Sequence, residues 1–305
     1  MTATPASTRP GGAAPARPAA RLPETPGRDR RRRPTLRGTA LSVVGLAVAV
    51  VYLLPFYVAI VNAFKTDQDA SLHPLALPTT WTSAAFGSLF ANSDFGIWTM
   101  NSVIVAVAVT LGRIFFDSLA GYALARLRFR GRQTVFAAII AVMAVPGVVL
   151  LIPKFLVINQ LGMYDSYSGM IVPLLVDAAG VFIMKNFFES IPVSVEEQAK
   201  IDGAGTFRTF WSIVLPMARP AVVTITILSF QASWNELPHF IVSSSSPGLT
   251  TLTKGVASLA SGALSAGNQY PVKLAAAFVM TIPVAVAFFL FQKRIMNSSD
   301  GAVKE

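Results

Sequence analysis

Residues 191–220 read IPVSVEEQAKIDGAGTFRTFWSIVLPMARP, a polar island between two apolar stretches that are each long enough to cross a bilayer. Ser194 followed three residues later by Glu197 matches a capping box, which predicts a short helix starting near Val195. Gly203 suits a left-handed C-terminal stop, Thr206 suits the cap of a second helix, and Pro216, lacking an amide, helps to end it. Phe207, Phe210, Trp211 and Val214 recur at the spacing of one helical face. The expectation over 192–216 is a helix, a glycine turn and a helix whose apolar face lies on the protein surface.

The rest of the chain reads as membrane. Of its 305 residues 53% are hydrophobic and only 13% charged, and the mean hydropathy is +0.57, too apolar for an ordinary soluble surface. The expected fold class is all-α and polytopic, with six transmembrane helices near 40–64, 98–125, 134–157, 168–190, 218–241 and 271–292. Prolines at 146, 153, 173 and 283 fall inside these spans and would bend them. Residues 1–37, rich in Pro, Ala and Arg and ending near Arg30-Arg31-Arg32-Arg33, read as a disordered basic tail. Residues 38–295 read as the membrane domain and 296–305 as a short C-terminal segment.

A net charge of +10 invites a nucleic-acid reading, but the basic residues lie in the tail and in alternate short loops. Arg126, Arg128, Arg130 and Arg132, then Lys200 and Arg208, then Lys293 and Arg294 fall on one side of the six spans. The positive-inside bias puts that side, both termini and the Glu197 loop in the cytoplasm of a multi-pass cell-membrane protein. The composition thus points to a lipid bilayer as partner and to no nucleic acid. Cysteine is absent, so no disulfide or thiolate site is possible.

Glu197-Gln198-Ala199-Lys200-Ile201-Asp202-Gly203-Ala204 followed by Ile213-Val214-Leu215-Pro216 closely resembles the EAA loop of permease subunits in ATP-binding-cassette (ABC) importers. Gln198 stands where that family usually has its first alanine. Asn101-Ser102, Ala120-Gly121-Tyr122-Ala123-Leu124-Ala125-Arg126 and Trp234-Asn235-Glu236 look like positions of the maltose-type, carbohydrate-importing branch. The resemblance covers about residues 40–295. It implies a second homologous permease, two ATP-binding cassette subunits and an extracellular solute-binding protein as partners, with a sugar as substrate. It makes Glu197, Ala199, Asp202, Gly203, Ala204, Phe207, Phe210, Leu215 and Pro216 the ATPase-coupling residues, although Glu197 has an equal claim as a cap of its own helix.

No G-x-x-x-x-G-K-[ST] loop occurs, so ATP and Mg are expected on partner subunits and no cofactor on this chain. His73 and His239 lack a metal-ligand spacing, and no nucleophile–base arrangement suggests a catalytic residue. Polar groups inside spans are costly and therefore candidates for a substrate pathway: Asn101, Asp177, Trp234, Asn235 and Glu236. Equally, they bond neighbouring helices. Arg113 and Asp117, one turn apart, are expected to pair with each other. Two alternatives stay open at this point, an importer for a non-sugar solute such as a polyamine or phosphate, and a secondary transporter in which Asp177 or Glu236 binds the coupling ion.

Overall fold

Long apolar runs can satisfy their backbone in lipid only as helices, and the described residues contain helices and no strand. The computed structural model describes residues 36–262 and 269–300, with side chains for 41–262 and 269–291. The basic tail expected over 1–37 lies almost wholly outside the described residues, as does the end of the C-terminal segment. The chain divides into two compact units, Met1–Val51 and Tyr52–Glu305, and the second carries everything discussed below apart from the start of the first helix.

In chain order the helices are α1 Leu36–Ala63, α2 Asp67–Leu72, α3 Ala84–Asn92 and α4 Phe95–Arg126, then α5 Arg132–Met143, α6 Leu151–Gln160, α7 Tyr167–Ile171 and α8 Ala178–Ser190. There follow α9 Val193–Ile201, α10 Thr206–Met217, α11 Arg219–Asn235, α12 Pro238–Ser243, α13 Leu252–Ala260 and α14 Tyr270–Asp300. Four stretches are long and apolar enough to cross a membrane: Leu41–Ala63, Phe95–Arg126, Tyr167–Ser190 and Tyr270–Phe291. Two bent pairs supply up to two more, which reaches the six that composition leads one to expect.

The bent pairs depart from simple spans. The third, expected over 134–157, turns through 103° between α5 and the turn that opens α6. Pro146 has no amide and disfavours helical geometry at Val145, so α5 closes with short-range bonds from Ala144 and Val145 to Ala141 and Val142. At the start of the fifth, expected from 218, the chain turns by 80° at Ala218, between α10 of the preceding loop and α11. Pro220 lacks the amide that would otherwise reach the Pro216 carbonyl, and the ladder breaks there. This span, expected to run to 241, stops at Asn235: Leu237 precedes Pro238 and is not helical, and α12 starts afresh.

The fourth stretch is also interrupted. A 3₁₀ turn, Val172–Leu174, carries Pro173, and helical structure resumes only after Asp177, which is extended at φ −128°, ψ 127°. α4 is the mast against which α8 and α11 pack. Gly121 lets it approach closely, since a Cβ there would meet Met184 Cβ at 2.7 Å and the Lys185 amide nitrogen at 2.9 Å.

At the Phe95 end of α4 a polar set ties the connections together. Asn101, fully buried, donates to the carbonyls of Gly248 and Thr250 at 2.9 Å each and accepts from the Tyr167 hydroxyl at 2.6 Å. Ser102 Oγ accepts the amide of Leu252 at 2.7 Å, the first residue of α13. Nearby, Asp165 adopts a left-handed φ of 56° and accepts from the amides of Ser245 and Ser246 at 2.8 and 2.9 Å and from the Ser246 hydroxyl.

These bonds from Ser246 and Ser245 hold the Asp165 carboxyl down at about 2, from an ordinary 3.8. Because the folded value is depressed, the clamp is intact above about 3.8 and is lost only as pH falls toward 2. Hydrogen exchange at residues 243–247 is therefore expected to show no acid-dependent opening between pH 5 and 8, and Asp165→Ala to raise it at all pH values in that range.

Candidate functional site

The loop between α8 and α11 is built differently at its start from the expected capping box. Pro192 occupies the N-cap position, α9 begins at Val193, and no side chain caps it. Ser194 and Glu197 lie inside the helix and on its exposed side, so the serine hydroxyl is not placed outside the first turn where a cap must be. Thr206 likewise opens α10 rather than capping it, with Gly205 at the N-cap position and no side-chain cap bond.

What anchors the loop is a residue the motif reading passed over. Glu196 is buried, and its Oε1 stands 2.9 Å from Nε of Arg126, the last residue of α4. The Tyr122 hydroxyl, one turn earlier on α4, donates to Glu196 Oε2 at 3.3 Å. Arg126 also donates to the carbonyl of Phe188 at 2.6 Å, which accepts the Ile191 amide as well, and to that of Ile191, just past the end of α8. One guanidinium thus joins the end of α4, the end of α8 and the first turns of α9. Sequence could have flagged it only by pairing the lone arginine of the Gly121–Arg126 run with one of two adjacent glutamates.

The turn itself is as expected. Gly203 is left-handed at φ 79°; its amide donates to Lys200 O at 3.0 Å and the Ala204 amide to Ala199 O at 2.9 Å, the paired bonds of a Schellman stop. Ala199 is buried, while Glu197, Asp202 and Gly203 are exposed.

In α10 the expected single apolar face divides in two. Phe210 and Val214 are buried with Tyr122, Met184, Phe188 and Ile191, and the Phe210 ring meets that of Tyr122 at 5.0 Å between centroids. Phe207 and Trp211 stay 68% and 51% exposed and stack within 7° of parallel. Phe210 therefore cannot offer its ring to a partner; it roots the helix in the chain's own core.

Pro216 does not end α10. The backbone widens to a π-turn over Phe210–Val214, in which the Leu215 amide reaches back to Phe210 O, and the helix continues to Met217. The widening relieves the clash of a proline ring with the preceding turn. Ile201, at the end of α9, is 84% exposed as well, and Glu197, Asp202 and Arg208 are exposed on the same loop.

The five pathway candidates are not gathered into one cavity. Asn101 holds the connections described above. Trp234 is buried and donates to Met280 O at 3.2 Å. Asp177 is not a solitary mid-span carboxylate but the N-cap of α8, accepting from the Gly180 amide at 3.0 Å. Glu236 accepts from the His239 amide at 2.9 Å at the start of α12, and Asn235 is exposed at the end of α11. Arg113 and Asp117 do not pair with each other: Arg113 donates to Leu174 O at 2.8 Å, and Asp117 accepts from the Asp177 amide at 3.0 Å.

The described residues thus form a bundle of broken and unbroken apolar helices that carries an exposed two-helix loop, pinned to α4. Residues 117–297 match the family of binding-protein-dependent transport system inner membrane components, and the chain belongs to it. It is similar to the inner membrane ABC transporter permease protein YcjP of Escherichia coli strain K12, at 31% identity over 85% of this chain and 94% of that one. It is 33% identical to the sn-glycerol-3-phosphate transport system permease protein UgpE of Yersinia enterocolitica, over 82% and 92%, and 33% identical to the polygalacturonan/rhamnogalacturonan transport system permease protein YtcP of Bacillus subtilis, over 83% and 93%. Among solved structures, a bacterial ABC transporter involved in the import of the acidic polysaccharide alginate superimposes with a TM-score of 0.75 at 26% identity, covering 88% of this chain and 99% of that one. The protein is a multi-pass membrane permease of the ABC importer type.

Proposed function

We propose that this permease carries a sugar or oligosaccharide, that the loop over 192–216 is the cytoplasmic seat of an ATP-binding cassette subunit, and that both termini share its side of the membrane. The observation that carries the coupling role is the exposure of Ile201, Phe207 and Trp211, three large apolar side chains on a loop pinned to α4 through Arg126 and Glu196. Exposed apolar groups rimmed by charge mark a protein contact, and buried aromatic anchors dominate the energy of such contacts. Glu197, Asp202 and Gly203 face outward beside them. Ala199, Ala204, Phe210, Leu215 and Pro216 shape the loop from within.

A sugar is supported by the roles of the relatives, which include a polygalacturonan/rhamnogalacturonan system and an alginate importer, with sn-glycerol-3-phosphate as a hydroxylated non-sugar. The partners in this reading are a second homologous permease, two ATP-binding subunits that hold ATP and Mg, and an extracellular solute-binding protein. Asn235 and Glu236, at the break between α11 and α12, are the polar groups best placed to meet a hydroxyl-rich solute. What speaks against an ion-coupled secondary transporter is the match to binding-protein-dependent permeases over residues 117–297.

The test is purification of the tagged chain from its host in mild detergent. An ATP-binding subunit and a second permease are expected to accompany it, and Phe207→Asp with Trp211→Asp to remove the ATP-binding subunit while keeping the second permease. Purification of the unaltered chain alone, under conditions that keep other membrane complexes whole, would overturn the reading.

A further inference from the structure

Two charged residues in the middle of α4 are unexplained by the coupling loop. Arg113 is half-buried and Asp117 fully buried, one helical turn apart, yet among the described residues no hydrogen bond or salt bridge joins them. Each reaches a backbone group at the interruption of the fourth span. Arg113 Nε donates to Leu174 O, a carbonyl at the C-terminal end of the 3₁₀ turn that follows α7. Asp117 Oδ1 accepts the amide of Asp177, the residue that opens α8.

The charges match the dipoles they face. The end of a helical segment exposes carbonyls and partial negative charge, where a cation is favoured; the start exposes amides and partial positive charge, where an anion is favoured. In lipid, a broken helix persists only if its freed groups are satisfied by protein. Gly180, in the first turn of α8, makes the fit possible: a Cβ there would stand 2.1 Å from Asp117 Oδ2, an atom that receives no hydrogen bond among the described residues.

We propose that Arg113 and Asp117 are positioning residues that staple the broken fourth span to α4, so that α4, α8 and the coupling helix α9 move as one lever. Arg126 clamps the other end of α8 to the same helix. The interruption at 175–177 is then a fixed break and not a hinge. The lever's role rests on the importer reading; the staple itself does not.

The experiment is hydrogen exchange of the purified permease complex in lipid nanodiscs, with uptake per ATP hydrolysed measured in parallel. Asp117→Ala is expected to raise exchange of the amides of 176–181 at least tenfold, to leave those of 196–201 within twofold, and to lower uptake per ATP about fivefold. The double exchange Arg113→Asp with Asp117→Arg keeps both charges but aims each at the wrong helix end, so it is expected to be at least as defective. Restoration by that double exchange would show a simple ion pair and overturn the proposal, as would unchanged exchange at 176–181 in Asp117→Ala. Should Asp117→Ala fail to insert, Asp117→Asn keeps an oxygen acceptor and is expected to exchange between wild type and tenfold faster; wild-type exchange together with wild-type coupling would equally overturn it. The exchange result stands even if no ATP-binding subunit accompanies the chain, which separates failure of the staple from failure of the importer reading.

Discussion

Arg126→Ala is expected to abolish uptake while the chain still inserts in the membrane. The guanidinium is nearly enclosed: it forms an ion pair with the Glu196 carboxylate at 2.9 Å and donates to Phe188 O at 2.6 Å and to Ile191 O. Removing it leaves a buried carboxylate without its counter-charge, a change that typically costs about 3–5 kcal/mol. At about 1.4 kcal/mol per factor of ten, that loss raises the share of molecules with α9 detached by at least a hundredfold. Insertion depends on the apolar spans, which are untouched. Glu196→Gln should be milder, because the amide oxygen still accepts from the Tyr122 hydroxyl and no carboxylate is left buried without a counter-charge. Solute uptake in cells, normalised to the amount of chain in the membrane fraction, checks both; unimpaired uptake by Arg126→Ala would show that the pinned loop is dispensable.

Gly203→Val carries the second largest expected effect. The position is left-handed at φ 79°, which a β-branched residue resists at about 1–3 kcal/mol. A Cβ built there meets nothing within 4 Å, so the cost lies in the backbone and not in crowding. Valine would therefore unwind the turn, lose the bonds from Gly203 to Lys200 and from Ala204 to Ala199, and misdirect α10 with its exposed Phe207 and Trp211. ATP hydrolysis that no longer drives uptake, or loss of the ATP-binding subunit on purification, is the expected result. Gly203→Asn supplies the control, since asparagine tolerates this geometry and should retain most of the coupling. If valine and asparagine behave alike, the turn's geometry is not what couples.

Much of the molecule was legible residue by residue. Hydropathy alone places the apolar stretches, because the cost of an unpaired backbone group in lipid leaves no choice but helix. Gly203 was legible for a similar reason: few residues accept its φ. The capping box at Ser194 and Glu197 was a local pattern overridden by a neighbour, since Pro192 sets the helix start two residues earlier and turns the serine into an interior position. The apolar run Phe207–Val214 showed helical periodicity correctly but could not show which half faces inward. That depends on Tyr122 and Phe188, about twenty residues and more away in sequence, which claim Phe210 and leave Phe207 out.

The polar residues show the same division. Asn101, Asp177 and Glu236 stood out because polar groups are costly in spans, yet each proves to satisfy backbone at a helix end or connection. Cost marks where a polar group must be satisfied and is silent on what satisfies it. Composition and local backbone rules, acting within a few residues, determined by themselves that this is an all-helical membrane protein with a polar loop turned at a glycine. Only the tertiary structure decided that Arg126 pins that loop through Glu196 and that Arg113 and Asp117 serve the broken span instead of each other. These are contacts between segments some 60 to 70 residues apart, whose partners are chosen by packing and by unmet hydrogen bonds, and no periodicity in one segment encodes them.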